Sequence, residues 1–158
     1  MSKPARYLVM SGGASHGTDL WGASQVIHQR YDVIGYAAVS ISAVLMAWMA
    51  LGRDPNKLTP LLNLFKSNRL TGGVDVLRPH PRLLYAEGGG LHDWSHVTRE
   101  LKSIFGNLRL KDCVKPLIVV VGDVYTSRPV YIDSRKHPEV VLWELLACAT
   151  AVFPVADA

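Results

Sequence analysis

The sequence predicts an α/β domain, a mostly parallel sheet flanked by helices. Three observations predict it. The first third of the chain alternates strand-like and helix-like segments, the order that builds parallel sheets with crossover helices. The strand-like runs lack polar alternation, as strands buried on both faces do. The size and composition, 158 residues with 49% hydrophobic and 19% charged, suit one compact domain and are too apolar for disorder.

Arg6 to Met10 reads as a short buried strand bounded by Pro4 and Ser11. A loop of small residues follows, Ser11-Gly-Gly-Ala-Ser-His-Gly17. Thr18 to Arg30 has helical spacing, with Leu20, Ala23, Val26 and Ile27 on one face. Asp32 to Val39 (DVIGYAAV) is a second strand. Ile41 to Leu51 is apolar all round, so a buried helix is expected, stopped by Gly52. Arg53-Asp-Pro55 is a turn. Leu58 to Phe65 reads as a short helix, and Ser67 to Gly90, rich in Gly, Pro and Arg, as a long surface excursion. Asp93 or Ser95 is placed to cap a helix running through Ile104. Pro116 to Gly122 (PLIVVVG) is the clearest buried strand, and Pro129 to Ile132 is a candidate for another. Pro138 to Ala149 reads as a helix with Val141, Leu145 and Cys148 on its apolar face, broken by Phe153-Pro-Val155. No repeat or linker divides the chain, so residues 1–158 are read as a single domain.

Composition removes several function classes. Two cysteines, Cys113 and Cys148, make neither a disulfide scaffold nor a four-cysteine zinc site. The net charge of +4 comes from scattered basic residues with no run, so nothing argues for nucleic acid. The same modest excess fits weak attraction to an anionic lipid surface. The apolar run after Met1 is too short for a secretory signal, which needs roughly 7–15 apolar residues. Gly35 to Gly52 carries no charge over 18 residues, near the length of a membrane-spanning helix. A strand, a sharp turn and a buried helix give the same composition, and that reading is preferred. The expected location is cytoplasmic or peripheral at a membrane.

The residue between the second strand and its helix is Ser40. A strand-to-helix turn lifts such a serine above the sheet edge, where free helix N–H groups favour a developing oxyanion. The turn is tight, so the positions two before and two after must be small; here they are Ala38 and Ser42, where glycine is usual. The ordinary alternative is a helix N-cap serine. The loop Ser11–Gly17 exposes backbone N–H groups, an anion site. It is a poor P-loop, since Thr18 stands where lysine should be. It is a poor dinucleotide fingerprint, since Ala14 replaces the middle glycine and no acidic residue closes the next strand. An oxyanion hole or an ordinary tight loop remains.

Taken together, Gly12, Gly13, Ala14, Ser15, His16 and Gly17, then Ala38-Val-Ser-Ile-Ser42 before an apolar helix, resemble the patatin-like phospholipase family. Gly90-Leu-His-Asp93, Val119-Val-Val-Gly-Asp-Val-Tyr-Thr-Ser-Arg-Pro-Val130 and Leu146-Ala-Cys-Ala-Thr-Ala-Val-Phe-Pro-Val155 extend the resemblance over nearly the whole chain. Ala14 replaces the family's third glycine and His16 its arginine. The resemblance implies a patatin-like three-layer fold, with Ser40 as nucleophile on the elbow and the Gly12–Gly17 loop as oxyanion hole. It implies hydrolysis of lipid acyl esters through a serine–aspartate dyad, with no metal or organic cofactor. The carboxylate takes the serine proton directly, so no histidine is needed.

The family draws that aspartate from an Asp-Gly motif, and this sequence has no Asp-Gly dipeptide. Asp157 comes too early for the family's spacing, so the domain is expected to be incomplete at its C-terminus, with self-association through uncovered apolar surface. Other constellations have ordinary explanations. Asp123 or Asp133 with His137 has the order of a triad, which six histidines make cheap. His92 and His96 flank Asp93, with His80 upstream, but lack a third metal ligand at matching spacing. Trp21, Trp48, Trp94 and Trp143 could face lipid, but core packing is the default. The leading expectation is a lipid acyl hydrolase; the alternative is an inactive module of the same fold that binds lipid or a protein partner.

Overall fold

The computed structural model describes residues 3–13, 16–57, 60–61 and 95–151. The elements in chain order are β1 (Ala5–Met10), α1 (Gly17–Arg30), β2 (Asp32–Val39), α2 (Ile41–Ala50), α3 (Ser95–Phe105), a 3₁₀ turn (Leu110–Asp112), β3 (Leu117–Asp123), β4 (Arg128–Asp133) and α4 (Leu142–Thr150). The strands form one four-stranded sheet in the order β1-β2-β3-β4. β1, β2 and β3 run parallel, and β4 returns antiparallel beside β3. This is an α/β fold on a mostly parallel sheet. The candidate strand at Pro129–Ile132 is therefore the second arm of a hairpin.

Register sets up the functional end of the sheet. Met10, the last residue of β1, pairs with Ala38, and Ala38 pairs with Val119. The loop after β1 and the residue after β2 thus emerge side by side at the same edge.

The three parallel strands advance across the sheet in one direction. Right-handed crossovers between such strands all land on one face, and burial follows. Leu8, Met10, Tyr36, Ala38, Leu117 and Val119 are buried. The opposite face is open: Val9 is 72% exposed, Tyr131 63% and Tyr7 59%. The expectation that the strands are buried on both faces is corrected. Apolar runs persist here because the strands are rich in β-branched and aromatic residues that suit a pleated surface.

α2 is the centre of the core. All ten of its residues are buried, and it packs against β2, β3, α1 and α4. Leu51 caps its C-terminus, and Gly52 takes φ +72°, with the Arg53 N–H donating to the Trp48 carbonyl, so Gly52 is the expected helix stop. The Trp48 and Trp21 indoles donate to the carbonyls of Asp54 and Pro55, pinning the turn that follows. Gly35 to Gly52 is thus a strand, a turn and a buried helix. Among the described residues no helix is long and apolar enough to cross a membrane.

Three further expectations are corrected. α1 buries Gly17 and Ser24, with Leu20, Trp21 and Ile27 packed beside them, while Ala23 and Val26 face outward. The buried stripe is rotated because small residues let α1 approach the core closely. The final helix starts at Leu142, because Val141 forms an extended bridge with Arg109 and the Pro138–Val140 segment turns. Cys148 is exposed, not part of the core face that Leu145 and Leu142 supply. The expected helix at Leu58–Phe65 lies mostly outside the described residues, as do the Ser67–Gly90 excursion, Asp93 and Trp94.

Candidate active site

Val39 ends β2 and Ile41 begins α2, so Ser40 alone makes the turn. Its backbone sits at φ 59°, ψ −137°, a region that only glycine visits freely and that costs other residues about 1–3 kcal/mol. The strain is held by its neighbours. Ala38, Ile41 and Ser42 are all buried, and Ala38 is flanked across the sheet by Met10 and Val119. The Ala43 N–H donates to the Ser40 carbonyl at 2.9 Å, closing the first turn of α2.

Ser40 occupies the N-cap position, yet its side chain makes no cap hydrogen bond. An ordinary cap has extended backbone and turns its hydroxyl back onto the helix N–H groups. The capping explanation therefore fails. The Ser40 side chain stands half-buried at the sheet edge, at the positive end of the α2 dipole.

Gly12 comes from the neighbouring strand end and touches the serine. A Cβ at Gly12 would lie 3.0 Å from the Ser40 Cβ and 3.5 Å from its Oγ. A side chain at position 12 would therefore crowd Ser40, which would have to give by a few tenths of an ångström. Gly13 packs against Leu20 of α1, and a Cβ there would meet the Leu20 Cδ1 at 3.2 Å. The His16 N–H donates to the Gly13 carbonyl at 2.7 Å, so that amide is used within the loop's own turn. The His16 ring is exposed and pairs with Asp19 at 3.0 Å. Gly17 is buried as the first residue of α1. Ala14 and Ser15 lie outside the described residues.

Ser42 is fully buried, and its hydroxyl is used three times. It donates towards the Met10 carbonyl at 3.0 Å and the Val39 carbonyl at 2.8 Å, and accepts from the Val39 N–H at 3.3 Å. Sequence reasoning treated this position only as small. Nothing in the spacing signals the hydroxyl contacts, which depend on how β1 ends beside β2.

The competing constellations dissolve. Asp133 is gripped by the Arg135 guanidinium at 3.0 and 2.7 Å. Those hydrogen bonds hold its carboxyl down at about 2, too low for a base at neutral pH. Asp123 accepts from the Thr126 hydroxyl and the Tyr125 N–H inside the β3–β4 hairpin. These bonds keep its carboxyl below the usual range. The order Asp–His137 thus assembles no triad. Cys113 is no rival nucleophile, since burial pushes its thiol up to about 11. Among the described residues no three His, Cys, Asp or Glu side chains cluster as a metal site. Trp21 and Trp48 pack in the core, and Trp143 is half-buried beneath the Lys102 ammonium.

The family model described as patatin-like phospholipase matches residues 8–157. The chain belongs to the patatin-like phospholipase family. No curated protein matches it. The match spans the glycine loop, the elbow and the hairpin strands, the segments whose order carried the resemblance. Membership places the chain among lipid hydrolases. Ala38 and Ser42, the small residues two positions either side of Ser40, are both buried beside the turn.

Proposed function

We propose that this patatin-like protein hydrolyses lipid acyl esters with Ser40 as the nucleophile. The observation that carries the reading is the strained Ser40 backbone with Gly12 packed directly against the side chain. A cap serine would need neither feature.

The Ser40 Oγ attacks the ester carbonyl carbon as its proton passes to an aspartate. The carbonyl oxygen becomes an oxyanion, held by the N–H groups of Gly12 and Gly13 and by the α2 N-terminus. The C–O bond to the alcohol breaks, and the departing alkoxide takes the proton back. Water then attacks the acyl-serine carbonyl carbon as its proton passes to the same carboxylate; the acyl–Oγ bond breaks, the Ser40 oxygen takes that proton, and the fatty acid leaves. This scheme uses no metal or organic cofactor. The base is not Asp133, whose carboxyl Arg135 holds down. Asp157 lies outside the described residues.

The second reading is an inactive patatin-like module that binds lipid or a protein partner. It is favoured by one observation: among the described residues no carboxylate or imidazole hydrogen-bonds the Ser40 hydroxyl. A fluorophosphonate probe separates the two. An activated Ser40 takes the label, and Ser40→Ala removes both label and ester hydrolysis with an unchanged melting temperature. A folded wild-type sample that takes no label supports the inactive module. Peripheral contact with a lipid surface is part of the enzymatic reading, since the substrate resides there.

A further inference from the structure

We infer that Ser42 is a positioning residue that fastens the root of the glycine loop to the nucleophile elbow. The inference rests on the proposed role of Ser40 and adds to it a device for aligning the oxyanion donors.

The gap that Ser42 bridges opens at the last rung of the sheet. Met10 and Ala38 close the β1–β2 register, and beyond them the two chains part. One becomes Ser11-Gly12-Gly13, and the other becomes Val39-Ser40. No strand pairing holds Gly12 at its distance from Ser40. The Ser42 hydroxyl spans the gap, linking the Met10 carbonyl to both the carbonyl and the N–H of Val39. A hydroxyl has one proton and two lone pairs, so the proton is shared between two carbonyls while the oxygen accepts the amide. Each backbone group it contacts is adjacent to, or two residues from, a residue of the proposed site.

The side chain is sealed in the core and has no other task. Its neighbours on α2 are all apolar or alanine. A lone hydroxyl in such surroundings would be costly without partners, so its bonds define its place. The usual elbow residue at this position, glycine, cannot make them. In this chain the departure from glycine is therefore a replacement tie, in keeping with a loop that carries Ala14 where the family has a third glycine.

The role predicts an unusual outcome. Ser42→Gly restores the customary elbow residue, yet it should lower the acylation rate about ten- to hundredfold, the scale of a misaligned reacting group. Fluorophosphonate labelling under pseudo-first-order conditions reads it. The rate constant at saturating probe should fall while the half-saturating probe concentration and the final labelled fraction stay as in wild type. Ser42→Ala, which keeps a better helix former, should show the same split. Ser42→Cys retains a weak donor and should recover part of the rate.

Ser24→Ala is the matched control. It deletes another fully buried hydroxyl, bonded to the Trp21 carbonyl at 2.7 Å, from a helix away from the elbow. It should lower the melting temperature with no change in labelling rate. If Ser42→Gly and Ser42→Ala both label at the wild-type rate, the positioning role is overturned while the nucleophile stands. If they lose labelled fraction but not rate, Ser42 is structural only, and the proposal is again overturned. A folded wild type without label removes the proposed nucleophile, and this inference with it.

Discussion

The two faces of the sheet are made of similar residues and meet opposite fates. On one face Leu8, Met10, Tyr36 and Val119 lie sealed beneath α2 and its neighbours. On the other, Tyr7, Val9 and Tyr131 are open to solvent. Composition does not separate them, since each face alternates with the other along the same strands. Chain direction does: three parallel strands advancing one way place every right-handed crossover on the same side. The core is therefore one-sided, and its deepest element, α2, is also the helix that begins at Ser40. The helix that fills the core is therefore also the one that holds Ser40 in its turn.

The largest expected effect lies on the sealed face. Leu45 of α2 is fully buried, and truncating a buried leucine to alanine costs about 2–5 kcal/mol through lost transfer energy and a residual cavity. Urea unfolding of Leu45→Ala should show that loss. A cost under about 1 kcal/mol would mean that α2 is not packed as tightly as the comparison requires. Because α2 also holds Ser40 in its strained turn, the variant should label more slowly even under conditions where it remains folded.

The open face should respond weakly. Val9→Thr keeps the β-branch and the strand, and at an exposed site its effect should fall within about 0.5 kcal/mol. Exposed apolar sheet surface also promotes association, so the same substitution together with Tyr131→Ser should shift sedimentation profiles towards smaller species at matched concentration. A Val9→Thr cost comparable to that of Leu45→Ala would show that something covers this face in solution and would erase the contrast.

How much of this was legible in the sequence depends on how local the cause was. The strand–serine–helix unit could be read because the uncharged run from Gly35 to Gly52 is interrupted only by Ser40 and Ser42, and Gly52 marks the stop. The edge shared by Gly12 and Ser40 followed from the alternation of elements. The open face could not be read, because Tyr7-Leu-Val-Met10 has the same composition whether one side is buried or both. Nor could the stripe of α1. There Ser24 is buried because its hydroxyl bonds its own helix, so polarity misled the spacing argument. Cys148 looked apolar and proved exposed, since the residues packing against α3 are set by where α4 begins, and the Val141 bridge delays that start.

The smallest effect concerns the buried carboxylate on the otherwise open side. Asp133 aligns across β3 with Ile118, on the row that continues to Ala37 and Val9. The Arg135 hydrogen bonds hold its carboxyl down to about 2 in the folded protein, below the ordinary aspartate value near 3.9. The ionised form is therefore favoured by folding. Its contribution is present in full above about pH 4 and fades as the pH falls towards about 2. Asp133→Asn removes the contribution at every pH. The stability gap between wild type and variant should be modest, since Arg135 is largely exposed, constant from pH 7 to about 5, and closing below about pH 4. A gap that widened on acidification would reverse the assigned direction. The same variant should take the fluorophosphonate label at the wild-type rate, because a carboxylate this acidic and this firmly held cannot accept the Ser40 proton. A large drop in labelling by Asp133→Asn would instead bring the open side of the sheet into the chemistry.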